Sequence, residues 1–174
     1  AHFAYWIDIY ENYGSWEYAD RNITDIKLTG DCFNYGMSLY NTNLDLNGYA
    51  LIIDGTLNFM TSNPELWSGT DGSTLNMNGG YLYIGDCFNF GQKDCYDRLI
   101  MTNEDDILEI YGNWMYTTLA DMEGKWTAGT IGFFGPNWNV NEAAGEKAVY
   151  SSGTHSIWFY YEHGLQTILW DNPN

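Results

Sequence analysis

The sequence predicts an all-β protein, a right-handed parallel β-helix (a solenoid) of about six coils with an N-terminal cap. Three observations carry this: an ungapped internal echo, an apolar period of two inside each copy, and no amphipathic helical stretch of useful length. Residues 44–59, LDLNGYALIIDGTLNF, lie over residues 75–90, LNMNGGYLYIGDCFNF, at an offset of 31. Leu44 and Leu75, Asn47 and Asn78, Gly48 and Gly79, Leu51 and Leu82, Ile53 and Ile84, Asn58 and Asn89, and Phe59 and Phe90 match in kind. The heptapeptide Gly30-Asp31-Cys32-Phe33-Asn34-Tyr35-Gly36 returns as Gly85-Asp86-Cys87-Phe88-Asn89-Phe90-Gly91. Weaker copies cover residues 108–116 and 131–140.

Residues 1–24 are aromatic and lack the repeat, so they are expected to cap the open edge of the first coil. Residues 25–174 form the coils of a single domain. Within a copy, Leu44 and Leu46 point one way and Asp45 the other; Leu51 with Ile53, and Leu57 with Phe59, repeat the alternation. Asn47-Gly48 and Asp54-Gly55 are pairs that accept positive φ. One copy therefore reads strand, turn, strand, turn, strand, longer loop. Recurrence in the same order favours parallel stacking of equivalent strands over hairpins. A jelly-roll sandwich, the alternative, leaves the echo unexplained. Leu46, Leu51, Ile53, Phe59, Met77, Leu82, Ile84, Phe90 and Ile110 are expected in the core. Trp114 and Tyr116, at the Leu57 and Phe59 positions, are expected there too. Asn34, Asn58, Asn89 and Asn139 are expected to form one structural column of amides.

Composition bounds the partners. The 174 residues include 23 acidic against 6 basic, a formal net charge of −17, and 18% aromatics. Nucleic acid is excluded, because neutralising phosphates needs clustered Lys and Arg. Anionic membranes and anionic sugars are disfavoured by the same field. No apolar run approaches the ~20 residues of a membrane-spanning helix. The chain carries no signal peptide and begins at Ala1, as expected of a mature segment or a module of a larger protein. Eight Trp and fifteen Tyr suit half-wet surfaces, where a ring is apolar and its tip polar.

The repeat resembles β-solenoid segments of large secreted bacterial proteins. Those segments read L-x-L-N-G, L-x-V-x-G, M-T-N, T-A-G-T, S-G-T-H and Q-T-I or Q-T-V. The matching stretches here are residues 44–48, 51–55, 101–103, 127–130, 152–155 and 166–168. Size, acidity, aromatic content and expected fold together also resemble carbohydrate-binding modules of family 89. That resemblance implies a secreted or cell-surface, xylan-binding parallel β-helix, accompanying plant-polysaccharide hydrolases of gut bacteria.

A neutral polysaccharide needs aromatic platforms beside hydrogen-bonding side chains. Loops at residues 36–42, 60–73, 91–98 and 117–126 carry Tyr40, Trp67, Tyr96 and Trp126, close to one per coil. These form the first candidate strip. The second is the outward face of the middle strands, with Tyr81, Tyr83, Trp158 and Tyr160, in a column also holding Lys27, Ile52, Glu109 and Gly132. The expected function is a non-catalytic, monomeric module that keeps an attached glycoside hydrolase on xylan. The alternatives are a structural or adhesive solenoid that binds no sugar, and a small β-helix hydrolase or lyase. The acidic groups Glu104-Asp105-Asp106, Asp94 with Asp97, and Asp121 with Glu123 read as solvated turns rather than catalytic pairs. His2, His155 and His163 show no metal-ligand spacing. No cofactor is expected; Ca²⁺ at an acidic loop stays open, without EF-type spacing. Cys32 and Cys87 are expected in one column two coils apart, about 9–10 Å, too far for a disulfide. Cys87 and Cys95 can pair around the third loop.

Overall fold

The computed structural model describes residues 3–9, 24–40, 42–60, 72–91, 96–140 and 147–170. Sixteen strands and no helix occur among them. In chain order they are β1 (Phe3–Ile9), β2 (Thr24–Lys27), β3 (Cys32–Tyr40), β4 (Thr42–Asp45), β5 (Ala50–Ile53), β6 (Leu57–Met60), β7 (Thr74–Asn76) and β8 (Tyr81–Ile84). There follow β9 (Cys87–Phe90), β10 (Arg98–Ile100), β11 (Ile107–Ile110), β12 (Asn113–Tyr116), β13 (Thr130–Phe133), β14 (Asn137–Val140), β15 (Ser156–Phe159) and β16 (Thr167–Trp170).

All described strand pairings are parallel, and they sort into three ladders. The first runs β3, β5, β8, β11, β13, β15, and the second β3, β6, β9, β12, β14, β16. The third runs β2, β4, β7, β10 and continues as single bridges from Met101 to Trp126 and from Trp126 to Ser151. The 31-residue echo is structural: Leu51 pairs with Leu82, Ile53 with Ile84, Leu44 with Leu75 and Asn58 with Asn89. β1 lies parallel to β3, from Phe3 opposite Phe33 to Ile9 opposite Leu39. Residues 1–2 and 10–23 of the expected cap lie outside the described residues.

Alternation along each strand sends one set of side chains inward. All nine residues expected in the core are fully buried, as are Trp114 and Tyr116. Because ladders stack like on like, the aromatics form interior piles. Phe59, Phe90 and Tyr116 follow one another at centroid separations of 4.9 and 5.0 Å. Phe88, Trp114 and Trp138 do so at 5.9 and 4.6 Å. The Tyr116 hydroxyl, deep in this core, donates to the Ala148 carbonyl at 2.7 Å. Such stacked pairs are worth ~1 kcal/mol each beyond their buried area.

The turns divide into two kinds. Asn47-Gly48 and Asn78-Gly79 take the expected positive φ. Gly55 does not; it is glycine because a Cβ there would press on the Tyr35 carbonyl. Likewise a Cβ on Gly85, Gly112 or Gly135 would run into the carbonyl of Asp54, Asp86 or Gly112. These glycines line the corner between the first and second ladders, where backbone of adjacent repeats is in direct contact.

The recurring heptapeptide is not a structural repeat. Cys32, Phe33 and Asn34 pair with Leu51, Ile52 and Ile53 in the first ladder. Cys87 to Phe90 pair with Asn113 to Tyr116 in the second. Its inside and outside are reversed: Asn34 is buried and Tyr35 exposed, whereas Phe88 and Phe90 are buried and Asn89 is half-buried. Cys32 and Cys87 therefore do not share a column. Asn34 leaves the expected amide column as well. That column runs Ser38, Asn58, Asn89, Met115, Asn139. Within it Asn89 donates to Asn58 at 2.7 Å, and Asn58 to Ser38 at 3.4 Å. Met115 interrupts the amide chain before Asn139.

Asn34 instead occupies the inward row of Ile53, Ile84 and Ile110. Its Nδ2 reaches Cys32 Sγ at 3.2 Å, while its Oδ1 is buried without a hydrogen-bond partner. An unsatisfied buried acceptor costs roughly 1–3 kcal/mol. Asn34→Ile, which extends the isoleucine row, should raise the urea midpoint at unchanged m-value; an equal or lower midpoint would show the amide to be compensated.

Candidate functional site

The inward set of the first ladder fixes its outward set. With Leu82, Ile84, Leu108, Ile110, Ile131 and Phe133 buried, the alternate positions face out. Two rows result: Tyr81, Ile107, Thr130, Ser156, and Tyr83, Glu109, Gly132, Trp158. A third row, Tyr111, Phe134 and Tyr160, follows the strand ends. Tyr83 lies 5.0 Å from Tyr111, Tyr111 stacks on Phe134 at 4.8 Å, and Phe134 meets Tyr160 edge-on at 6.4 Å. Trp158 is 66% exposed and Tyr160 56%.

Gly132 opens this face. Lacking a side chain between Glu109 and Trp158, it leaves a groove of about 300 Å³ whose lining includes Ile107, Thr130, Phe134 and Tyr160. The Phe134 ring lies across Gly132, where a Cβ would touch it. The polar fittings are few. Tyr81 donates its hydroxyl to Glu109 Oε2 at 2.7 Å, and Trp158 Nε1 donates to Ser156 Oγ at 3.3 Å. Ser156 Oγ is also 3.2 Å from Thr130 Oγ1. Burial first, then Glu109, raise the Tyr81 and Tyr111 phenols above their ordinary range. Both rings therefore stay neutral donors at physiological pH.

The other candidates fall differently. Trp126, expected on a loop-edge platform, is fully buried. Its Nε1 donates to the Leu99 carbonyl at 3.0 Å, and its ring packs against Tyr116 at 5.9 Å. It is a core residue, because the third ladder carries its bridge directly over Met101. Tyr96 is half-buried against the core. The Tyr40 side chain, Trp67 and Cys95 lie outside the described residues. Tyr81, Tyr83 and Trp158 do share the outward face of the first ladder. Lys27 does not belong to its column; it sits in β2, 3.6 Å from Asp45, and Phe33 stands opposite Ile52 instead. Tyr111 and Phe134 escaped the sequence reading because they follow the alternating run by one residue, where a period of two no longer assigns a face. The legible signal was the aromatic recurring directly after Ile110, Phe133 and Phe159.

Cys87 is a free thiol directed at Asn89 Oδ1, 3.2 Å away; Cys95, the partner the sequence allows for it, lies outside the described residues. Two acidic residues read as solvated are buried. Asp106 accepts the amides of Gly79 at 2.6 Å and Asn103 at 3.0 Å, fastening a turn to the preceding repeat. Asp97 accepts the Ser73 amide at 2.6 Å and leaves Oδ2 without a hydrogen-bond partner. Asp121 and Glu123 are exposed and meet Lys147. His155 Nδ1 lies 2.8 Å from the Ala128 carbonyl, and burial lowers its imidazole below the ordinary value. Among the described residues no group of three or more His, Cys, Asp and Glu is placed to hold a metal ion.

Comparison of the chain with protein-family models, curated proteins and solved structures finds no match in any of the three.

Asp97 gives a pH test of the packing at the start of the third-ladder strands. Burial pushes its carboxyl up to about 7, against the lowering effects of the Ser73 amide and Arg98. The native state then holds a proton that the unfolded chain releases near the ordinary value of about 4. Its contribution is complete below pH ~4 and is lost as pH rises towards ~7. Between those limits Asp97→Asn should show a shallower fall of unfolding free energy with pH than the parent, by up to one proton. Parallel pH profiles would mean that Asp97 is ionised in the native protein.

Proposed function

We propose that the chain is a right-handed parallel β-helix of about six coils and works as a non-catalytic carbohydrate-binding module. On this reading it holds an attached glycoside hydrolase on neutral plant cell-wall polysaccharide, xylan first, outside the cell. Six strands in the first ladder support the coil number. The general hand of parallel crossover connections supports the right-handed sense.

One observation carries the binding reading: five aromatic rings, Tyr83, Tyr111, Phe134, Tyr160 and Trp158, gather on one outward face, and the last three of them line a groove. Exposed apolar area concentrated in this way marks a recognition surface more often than a solvated one. A pyranose ring has an apolar face that packs on Trp158 or Tyr160, while Ser156 and Thr130 meet its hydroxyls. Strands succeed one another every ~4.8 Å, a step comparable to one sugar unit, so a linear chain would lie across the strands. Each ring contributes only ~1 kcal/mol, so affinity should grow with oligosaccharide length.

A second reading, a structural or adhesive solenoid segment, is favoured by the far end of the ladders. There Phe159 and Ile168 occupy inward rows yet are exposed, and no described strand follows β15 and β16. Binding separates the two. Trp158→Ala should weaken retention on insoluble xylan about tenfold with little change in Tm, since the side chain is mostly exposed. Gly132→Val should act likewise, because its side chain would displace the Phe134 ring that lies across this position and obstruct the groove. If both variants retain full binding, the face is not the site; if the parent chain binds no neutral glycan, the structural reading replaces this one.

A further inference from the structure

The groove contains a charge that no described side chain neutralises. Glu109 lies between Tyr83 and Gly132 in the middle outward row. The described ion pairs are elsewhere, joining Lys27 to Asp45 and Lys147 to Asp121 and Glu123. Arg98 belongs to the third ladder and Lys125 adjoins it. No Lys or Arg occurs in any strand of the first ladder. The partners of Glu109 are neutral: the Tyr81 hydroxyl at 2.7 Å, and the Tyr111 phenol. Tyr83 stands opposite it in the row, and Tyr111 and Phe134 continue the aromatic contacts from Tyr83; aromatic faces attract cations through their ring quadrupoles. The net charge of −17 adds a long-range pull of the same sign.

We propose that this groove also takes a sugar bearing a free ammonium group, and binds an amino-substituted chain more tightly than its neutral, N-acetylated counterpart. The inference rests on the carbohydrate reading above and adds a charge preference to it. The span supports the assignment. Glu109 and Trp158 are two strands apart, roughly 9–10 Å, with Gly132 between them in the row and the apolar Phe134 ring lying across it. A pyranose stacked on Trp158 can therefore direct an amino substituent towards Glu109. A lysine peptide shares the ammonium group but lacks the flat apolar ring face that Trp158 and Tyr160 would cover.

The test uses calorimetric titration of the whole chain at mildly acidic pH and low salt. The probes are a glucosamine tetramer, its fully N-acetylated form, a xylose oligomer of equal length, and tetralysine. The glucosamine tetramer should bind about tenfold tighter than its acetylated form, the combined scale of one exposed cation–π contact and one exposed ion pair. Salt should erode that ratio, and Glu109→Gln should bring it close to one. Gly132→Val, whose side chain forces the Phe134 ring into the groove and leaves Glu109 in place, should abolish the preference as well and serves if the Glu109 variant does not fold. Tetralysine binding as tightly as the glucosamine tetramer, or a preference surviving in both variants, would overturn the proposal, since the acidic surface at large would then be responsible. Xylose-oligomer binding that depends on Trp158, without any amine preference, sinks this inference alone. Binding of no saccharide sinks the carbohydrate reading with it.

Discussion

Parallel backbone hydrogen bonding in register from one repeat to the next is the constraint on which the rest of the molecule depends. A strand paired this way places each residue directly beside its counterpart, about one interstrand spacing away. Side chains on a given row therefore meet their own kind, inside and outside. Inside, this produces the piles of Phe59, Phe90 and Tyr116, and of Phe88, Trp114 and Trp138. Outside, it produces the amide contacts of Asn58 with Asn89 and the aromatic row of Tyr111, Phe134 and Tyr160. The outer face is thus not an addition to the fold. It is the other half of the alternation that buries Leu108, Ile110, Ile131 and Phe133.

The long echo of residues 44–59 in 75–90 was legible because it preserves both period and phase, and its pairs are the observed ones. The heptapeptide at residues 30–36 misled for the opposite reason. It repeats the letters but not the phase. β3 runs through the corner as one strand, with Tyr35 and Gly36 between the parts that pair with β5 and β6. Three residues, 54–56, turn the same corner between β5 and β6. A difference of one residue is enough to exchange inside and outside when the side-chain period is two. Sequence similarity over seven residues cannot report a phase that is set by what lies on either side.

The candidate site was half legible. Alternation placed Tyr81, Tyr83 and Trp158 on the outer face, where they are. Recurrence near one per repeat suggested Trp126 as a surface platform, but recurrence is equally a property of core rows. Only the third ladder, reduced there to single bridges, decides that Trp126 points inward. Burial of Asp97 and Asp106 was missed for a similar reason. A carboxylate in a turn is normally solvated, yet these two accept backbone amides from turns of the preceding repeat. Their role is to bond strand-connecting segments that have no ladder of their own.

The crowded corner between the first and second ladders has a consequence for how such a chain can change length. Up to β14 only two or three residues separate the strands there. Gly85, Gly112 and Gly135 sit against carbonyls of the repeat before, which leaves no room for added volume. The connection from the second ladder to the third varies far more in length: one residue separates β3 from β4, thirteen separate β6 from β7, and seven separate β9 from β10. Insertions and deletions should therefore accumulate along a single edge, while the ladders keep their phase. Segments could be lengthened, exchanged or grafted on that edge without disturbing the aromatic face on another side, so the molecule divides into a fixed frame and a replaceable margin.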